Sequence, residues 1–310
     1  MTAEPVLVLT GLGKDYGKRT AVKDLDLVAH RGEILGLLGP NGAGKTTTIS
    51  MASGVLAPTR GTVEIGGLSL AKQPFDAKRK LGLVPQDLAI YEELTATQNL
   101  AYFGALYGMT KALIAERTAW ALGAVGLTDR AREPVKQFSG GMKRRLNLAA
   151  GLIHKPEVLI LDEPTVGVDP QSRNHIFDTI RALRADHGMT VIYTSHYMEE
   201  VEALCDRVAI VDAGKIVALG TVAELVAGHA GKGVELKLVG DAAAARAAAA
   251  AHGEVDGDGQ TLHVVPAAGL APVIAAIEGT GATIARISSR TSNLETAFLA
   301  LTGKALRDAS

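Results

Sequence analysis

Nine consecutive residues carry the strongest chemical signal in the chain: Gly39-Pro40-Asn41-Gly42-Ala43-Gly44-Lys45-Thr46-Thr47. They match G-x-x-x-x-G-K-[ST] and stand between an apolar run, residues 34–38, and a helical stretch that begins at Lys45. A phosphate-binding loop requires that context. Its glycines let the backbone curl so that successive N–H groups point at phosphate oxygens, and the following helix adds the positive end of its dipole. Lys45 is placed to reach the β- and γ-phosphates, and the Thr46 hydroxyl to ligand Mg²⁺. The loop implies a bound nucleoside triphosphate.

The remaining candidate residues follow from what that ligand needs. Residues 158–161 read as a buried strand ending in Asp162-Glu163-Pro164. A carboxylate at a strand end beside the loop suits Asp162 to organise Mg²⁺, and Glu163 is placed to take a proton from an attacking water. Taken alone, Asp-Glu-Pro is equally a helix cap. Ser139-Gly140-Gly141 opens a helix with apolar positions Leu146, Leu148, Ala149, Leu152 and Ile153, and offers N–H groups and a dipole to an anion. The run Lys143-Arg144-Arg145 reads as a solvated basic face. His196 ends a strand over 190–195, where one sheet would deliver it to the nucleotide, although a single His at a strand end is usually structural. Tyr16 is a lone aromatic in a Gly- and Lys-rich stretch, open to stacking on adenine or to a plain surface position.

These residues need a scaffold. Strands are expected over 6–9 and 20–27, with a polar turn region at 11–18, and short strands over 62–65 and 68–70. A further strand covers 81–84 and ends at Pro85-Gln86. Thr95-Ala96-Thr97-Gln98 fits a capping box, with Leu100, Phe103 and Tyr107 on one helical face, and a second helix covers 112–125. Residues 87–137 thus form a helical insert in an α/β chain. Val168-Asp169-Pro170 turns into a helix over 171–185, and strands at 208–211 and 215–219 form a hairpin around Asp212-Ala213-Gly214.

Composition bounds the reading. With 310 residues, one large domain and a small one are expected. A formal net charge of −1 argues against a nucleic-acid binder held by bulk charge. No run of about 18 apolar residues is present, and residues 1–5 lack a secretory layout. The single cysteine, Cys205, fits a reducing cytosol and reads as a small buried apolar side chain.

In order, the loop Gly39 to Thr46, Gln86 after a strand, Ser139-Gly140-Gly141, Leu161-Asp162-Glu163, Val168-Asp169 and His196 resemble the ATP-binding subunit of an ABC transporter. The text over 138–145 and 163–173 is most similar to the ABC-2 exporter branch, including daunorubicin-resistance-type ATPases. The resemblance implies a P-loop α/β fold with an antiparallel β subdomain and a helical insert. It implies ATP and Mg²⁺, with Tyr16 stacking on adenine, Gln86 sensing Mg²⁺ and the attacking water, His196 contacting the γ-phosphate and Glu163 as general base. Ser139 to Met142 would grip ATP held by the opposite subunit of a homodimer or a heterodimer with a second ATPase, and Asp169 would bridge the two. Met142 departs from the Gln of many members. Implied too is a separate integral membrane permease that holds the ATPase at the cytoplasmic face for drug, lipid or polysaccharide efflux. A soluble ABC ATPase acting on ribosomes or DNA is the alternative, disfavoured by the single nucleotide domain, and no nucleic acid is expected.

The nucleotide-binding domain is expected over 1–225 and a small accessory domain over 226–310. After a glycine-rich link at 228–233, the order β-α-β-β-α-β is ferredoxin-like: strand 234–239, helix 241–251, short strand at 254–255, turn 256–259, strand 261–265, helix 268–278 and strand 283–288. A last helix starts at Ser292. Between Gln86 and Thr95, Leu88, Ile90, Tyr91 and Leu94 form an apolar cluster on an expected surface loop. It suits an amphipathic helix of the permease, unless these side chains fold back onto the insert.

Overall fold

The computed structural model describes residues 4–229, 233–257, 259–289 and 293–303. The chain divides after Ala223: residues up to Ala223 form one compact unit with the stretch from Leu301, and Glu224–Ala300 form a second.

Period-two burial builds the first sheet. In β1 (Pro5–Tyr16) Val6, Leu7, Leu9 and Leu12 are buried, and in β2 (Arg19–His30) Val22, Leu25, Leu27 and Ala29, the mark of antiparallel strands with one covered face. The expected turn region at 11–18 is mostly strand. Gly11, at φ 56°, sits in a register shift between Leu9 and Leu12, so a bulge absorbs it and pairing continues to Tyr16 opposite Arg19. After β3 (Ile34–Leu38) and α1 (Lys45–Ala52) come β4 (Arg60–Ile65) and β5 (Leu68–Ser69), which complete a sheet of order β2-β1-β4-β5. A short helix not expected from the sequence, α2 (Pro74–Arg79), starts with Pro at its first position, where the missing N–H is harmless.

The rest of this unit surrounds a second sheet. It contains β6 (Leu81–Val84), α3 (Ala96–Leu106), α4 (Lys111–Ala124), α5 (Gly140–Leu152), β7 (Val158–Asp162) and α6 (Pro170–His187). Then follow β8 (Thr190–Ser195), α7 (Met198–Leu204), β9 (Arg207–Asp212) and β10 (Lys215–Thr221), and the division after Ala223 falls inside α8 (Val222–His229). Strand order is β10-β9-β3-β8-β7-β6, parallel from β9 to β6. Every residue of β3, β7 and β8 is buried, as strands covered on both faces must be. Register does the positioning. Leu38 pairs with Ser195, Asp162 with Thr194, and Val84 with Leu161. The residues that follow these strands therefore leave one edge of the sheet together, where ligands of open α/β sheets bind.

The helical insert is fixed by its caps. Thr95 accepts from Gln98 N–H and Gln98 Oε1 accepts from Thr95 N–H, the reciprocal box expected from the sequence, and Thr110 caps α4. The basic run 143–145 is not a solvated face. Lys143 pairs with Glu92 at 2.7 Å, Arg144 donates to the Gln86 and Val166 carbonyls, and Arg145 donates to the Val125 and Gly126 carbonyls. Backbone carbonyls of neighbouring loops draw these guanidinium forks inward. Cys205 packs against the same core beside Gly36, and burial pushes its thiol up.

His154, after α5, stacks on Tyr107 at 3.8 Å between ring centroids and donates from Nε2 to the Leu81 carbonyl. Burial pulls its pKa from 6.5 down to about 4. Above 6.5 it is neutral folded or unfolded; between 6.5 and about 4 the unfolded chain takes up the proton first, so stability falls as pH falls through that window. His154→Phe retains the ring stack and removes the titration. Between pH 6 and pH 5 the parent is expected to lose about 1 kcal/mol more than the variant, measured by denaturant unfolding.

The second unit contains β11 (Val234–Val239), α9 (Ala242–Ala250), β12 (Gly253–Asp256), β13 (Thr261–Pro266), α10 (Leu270–Glu278), β14 (Thr283–Ser289) and α11 (Leu294–Thr302). Its antiparallel order, β12-β13-β11-β14, is the ferredoxin-like arrangement. The alanine run is a packed helix: Asp241 caps it, and Ala245 and Ala249 share a core with Leu236, Leu238, Leu262, Val264, Val273 and Ile277. The glycine-rich link begins later than expected, because Gly228 falls inside α8, whose Leu225 is buried. Link residues 230–232, residue 258 of the 256–259 turn, and Ser292 lie outside the described residues.

Candidate functional site

Two glycines show why the loop after β3 has its composition. A Cβ on Gly39 would lie 2.3 Å from the Val211 carbonyl oxygen. Gly44, at φ 107°, holds a conformation closed to side chains, and a Cβ there would lie 2.8 Å from the Ala21 carbonyl. Inside the curl, buried Lys45 donates from Nζ to the carbonyls of Gly39 at 2.6 Å and Pro40 at 3.2 Å. Burial lowers its pKa, while the charges of Glu163 and Asp162 act to raise it. Ala43 is buried, Asn41 and Gly42 are exposed at the tip, Thr46 is exposed and Thr47 half-buried on the first turn of α1.

The acids stand at the end of β7, separated from β3 by β8. Asp162 is 7% exposed. Its pKa is raised by burial first, then by Glu163, against a lowering by the Thr194 hydroxyl, which donates to Oδ1 at 2.7 Å, and by Lys45. The backbone of Glu163 lies in the left-handed region at φ 47°, a strain of order 1–3 kcal/mol for a non-glycine residue. Its N–H donates to the Thr194 hydroxyl at 2.9 Å, which locks the bend. The bend turns the carboxylate to His196, with Oε2 3.3 Å from Nδ1. Lys45, Asp162, Glu163 and His196 thus form one cluster, as their strand register requires.

The other residues are set apart. Ser139 and Gly140 are exposed at the start of α5, and Ser139 accepts from the Met142 N–H. Gly141 is packed so closely on α6 that a Cβ would lie 2.0 Å from Ser172 Oγ and 3.2 Å from Asp169 Oδ2. Asp169 caps α6, accepting from Ser172 N–H at 2.9 Å, and that bond lowers its pKa. Tyr16, 51% exposed at the end of β1, has Lys14 Nζ 5.5 Å from its ring centre. Gln86 is exposed after β6, its carbonyl held by Arg144. Among the described residues no hydrogen bond or ion pair joins Ser139, Gly140 or Gly141 to the phosphate loop.

Two residues were missed by sequence reasoning. Thr194 touches Asp162 and Glu163, yet in a strand its hydroxyl has no signal beyond alternation. Arg144 was absorbed into a basic run, although it ties the Gln86 loop to the Val166 segment.

Comparison with known proteins agrees with this geometry. The ABC transporter family model matches residues 22–166. The linearmycin resistance ATP-binding protein LnrL of Bacillus subtilis is 53% identical over 220 residues, 71% of this chain and 70% of that protein. The Nod factor export ATP-binding protein I of Ralstonia nicotianae is 39% identical over 98% of this chain and 96% of its own length. The daunorubicin resistance ATP-binding protein DrrA3 of Streptomyces coeruleorubidus is 38% identical over 97% of both. Among solved structures, an ATP-binding subunit of an ABC transporter superposes with a TM-score of 0.65 at 29% identity, covering 72% of this chain and 92% of that one. A phosphate loop with a buried lysine, an Asp-Glu pair at the end of β7 and relatives matched over nearly their whole length lead to one assignment: the chain belongs to the ATP-binding, ATP-hydrolysing subunits of ABC transporters.

Proposed function

We propose that the chain powers an ABC-2-type exporter, two subunits enclosing two ATP and driving a separate membrane permease. One observation carries the chemistry: Glu163 and His196 meet at 3.3 Å beside buried Lys45. In this reading Lys45 and the loop N–H groups hold the phosphates, Tyr16 stacks on adenine and His196 bonds the γ-phosphate. Glu163 takes the proton of a water whose oxygen attacks the γ-phosphorus as the bond to the β-phosphate oxygen breaks. Ser139, Gly140 and Gly141 serve ATP on the opposite subunit, and Asp169 lies at the seam. Thr46, Gln86 and Asp162 offer hydroxyl, amide and carboxylate oxygens that suit Mg²⁺, and a cation would relieve the burial that raises Asp162. Mg²⁺, when bound, neutralises developing phosphate charge. Residues 1–225 form the nucleotide-binding domain in this proposal and 226–310 an accessory domain.

Export rests on the names of the relatives, which include Nod factor export and resistance to linearmycin and daunorubicin. No helix among the described residues is long and apolar enough to cross a membrane; in this reading a permease holds the subunit to the cytoplasmic face. Of the apolar cluster, Leu88 and Tyr91 are exposed, Ile90 packs on the core and Leu94 is half-buried. Beside them lies a cleft of about 260 Å³ lined by Val55, Leu83, Pro85, Ala89, Phe103 and Tyr107. A permease helix laid in it would contact the segment after Gln86. Replacing Leu88 and Tyr91 by Ser should leave the ATPase of the free subunit within about twofold and weaken co-purification with the neighbouring membrane protein by roughly 30-fold, with export falling in parallel. Undisturbed co-purification would place the contact elsewhere.

A further inference from the structure

Glu200 is 2% exposed in the first turn of α7, and no Lys, Arg or His among the described residues pairs with it. One oxygen, Oε2, accepts three hydroxyl bonds: from Thr165 at 2.9 Å, Tyr193 at 2.8 Å and Ser195 at 2.7 Å. All three donors are buried as well. Burying a carboxylate without a cation is expensive unless its oxygens are well bonded, so this arrangement is held at some cost to the fold.

The donors say what the cost serves. Thr165 lies two residues past Glu163, and its carbonyl accepts from Val168 N–H, fixing the turn that leads to Asp169. Ser195 directly precedes His196 and also accepts from Tyr197 N–H at 2.9 Å. Tyr193 lies two residues before Ser195 on the same face of β8. Between them, Thr194 points the other way to Asp162 and Glu163. The strand end is thus gripped on both faces, and Glu200 joins the Glu163 turn to the His196 turn through Thr165 and Ser195, beside a direct contact of the Thr165 and Tyr193 hydroxyls at 3.3 Å.

We propose that Glu200 is a positioning residue for ATP hydrolysis: through Thr165 and Ser195 it sets the distance between Glu163 and His196. It is buried behind Thr165, Tyr193 and Ser195 and acts through them, and this role rests on the assignment of Glu163 and His196 made above. What Glu200 must supply is an acceptor, not a charge. Gln offers an amide oxygen at the same place, whereas Met fills the volume and accepts essentially nothing from a hydroxyl.

The test uses the full chain, with ATP turnover and KM measured for the parent, Glu163→Gln, Glu200→Gln and Glu200→Met. Glu200→Met should lower kcat roughly 10- to 100-fold, the scale of misplaced reacting groups. Its KM for ATP should stay within about threefold, because the phosphate loop is untouched, and Glu200→Gln should keep kcat within about threefold of the parent. A merely structural role would reduce the folded fraction and leave kcat per folded subunit unchanged. Met and Gln variants that both match the parent, or that lose kcat equally, would overturn the proposal. Should Glu200→Met not fold, Thr165→Val combined with Ser195→Ala takes its place, with the same kcat loss expected and a parent-like kcat overturning. If Glu163→Gln turned over ATP like the parent, the underlying assignment would fail instead, and the two failures are read from different variants.

Discussion

Glu163→Gln is expected to lower ATP turnover by roughly 10²–10⁴ while leaving ATP binding intact, the range assigned to removing a positioned general base. The substitution keeps the shape of the side chain and its reach to His196, now 3.3 Å from Oε2. What it removes is basicity. The backbone argues that this carboxylate is held where it is for a reason, since a non-glycine residue at φ 47° is strained and the Thr194 hydroxyl holds the bend. ATP affinity should survive because the proposed reading gives the phosphate contacts to Lys45 and the loop around it, which the substitution leaves in place. The measurement is single-turnover hydrolysis beside equilibrium binding of a fluorescent ATP analogue. Parent-like turnover would remove Glu163 from the role of base. Lost binding would point to a damaged loop, and Thr194→Val, which loosens the same bend, would then show whether strain or charge is responsible.

Much of this site was legible because its chemistry is written in short contiguous text. The phosphate loop needs glycine at positions 39 and 44 for reasons of backbone space, and lysine at 45 for charge, so nine adjacent letters suffice. Parallel strands buried on both faces read as unbroken apolar runs, which made β3, β7 and β8 visible along with the residues at their ends. The capping box at Thr95 and the Asp212-Ala213-Gly214 hairpin are local too, the latter with Ala213 and Gly214 both at positive φ. What stayed hidden depends on contacts between distant segments. The bulge at Gly11 shows only in the pairing with β2, where the register shifts between Leu9 and Leu12. Arg144 reaches carbonyls 58 and 22 residues away, and a basic run on a helix gives no hint of that. Glu200 collects hydroxyls from two other segments, and in sequence it is one of three glutamates in a row of four.

Mixing two inactive variants, Ser139→Arg and Lys45→Ala, is expected to restore about one quarter of parent turnover. The reasoning begins with an unused surface. α5 starts with Ser139 and Gly140 exposed, and a Cβ on Gly140 would meet nothing within 4 Å. A helix of 13 residues therefore starts at an exposed Ser139-Gly140 step, while the phosphate loop of the same chain is already complete around Lys45. If a second subunit brings its own nucleotide to that end, each site is shared, one subunit giving the loop and the other the helix start. Arg at position 139 would fill the seam with bulk, and Ala at position 45 would remove the phosphate contact, so each homodimer has two broken sites. In a mixed dimer both defects fall into one site, and the other site has an intact loop facing an intact Ser139. Random pairing of equal amounts makes about half the dimers mixed, each with one of its two sites whole, hence about one quarter of the activity in a two-fold assembly whose sites act independently. Turnover is measured across mixing ratios, with differently tagged subunits to confirm that mixed dimers form. Sites contained within single subunits would give no recovery at any ratio, and mixed dimers that remain inactive would rule out the shared arrangement.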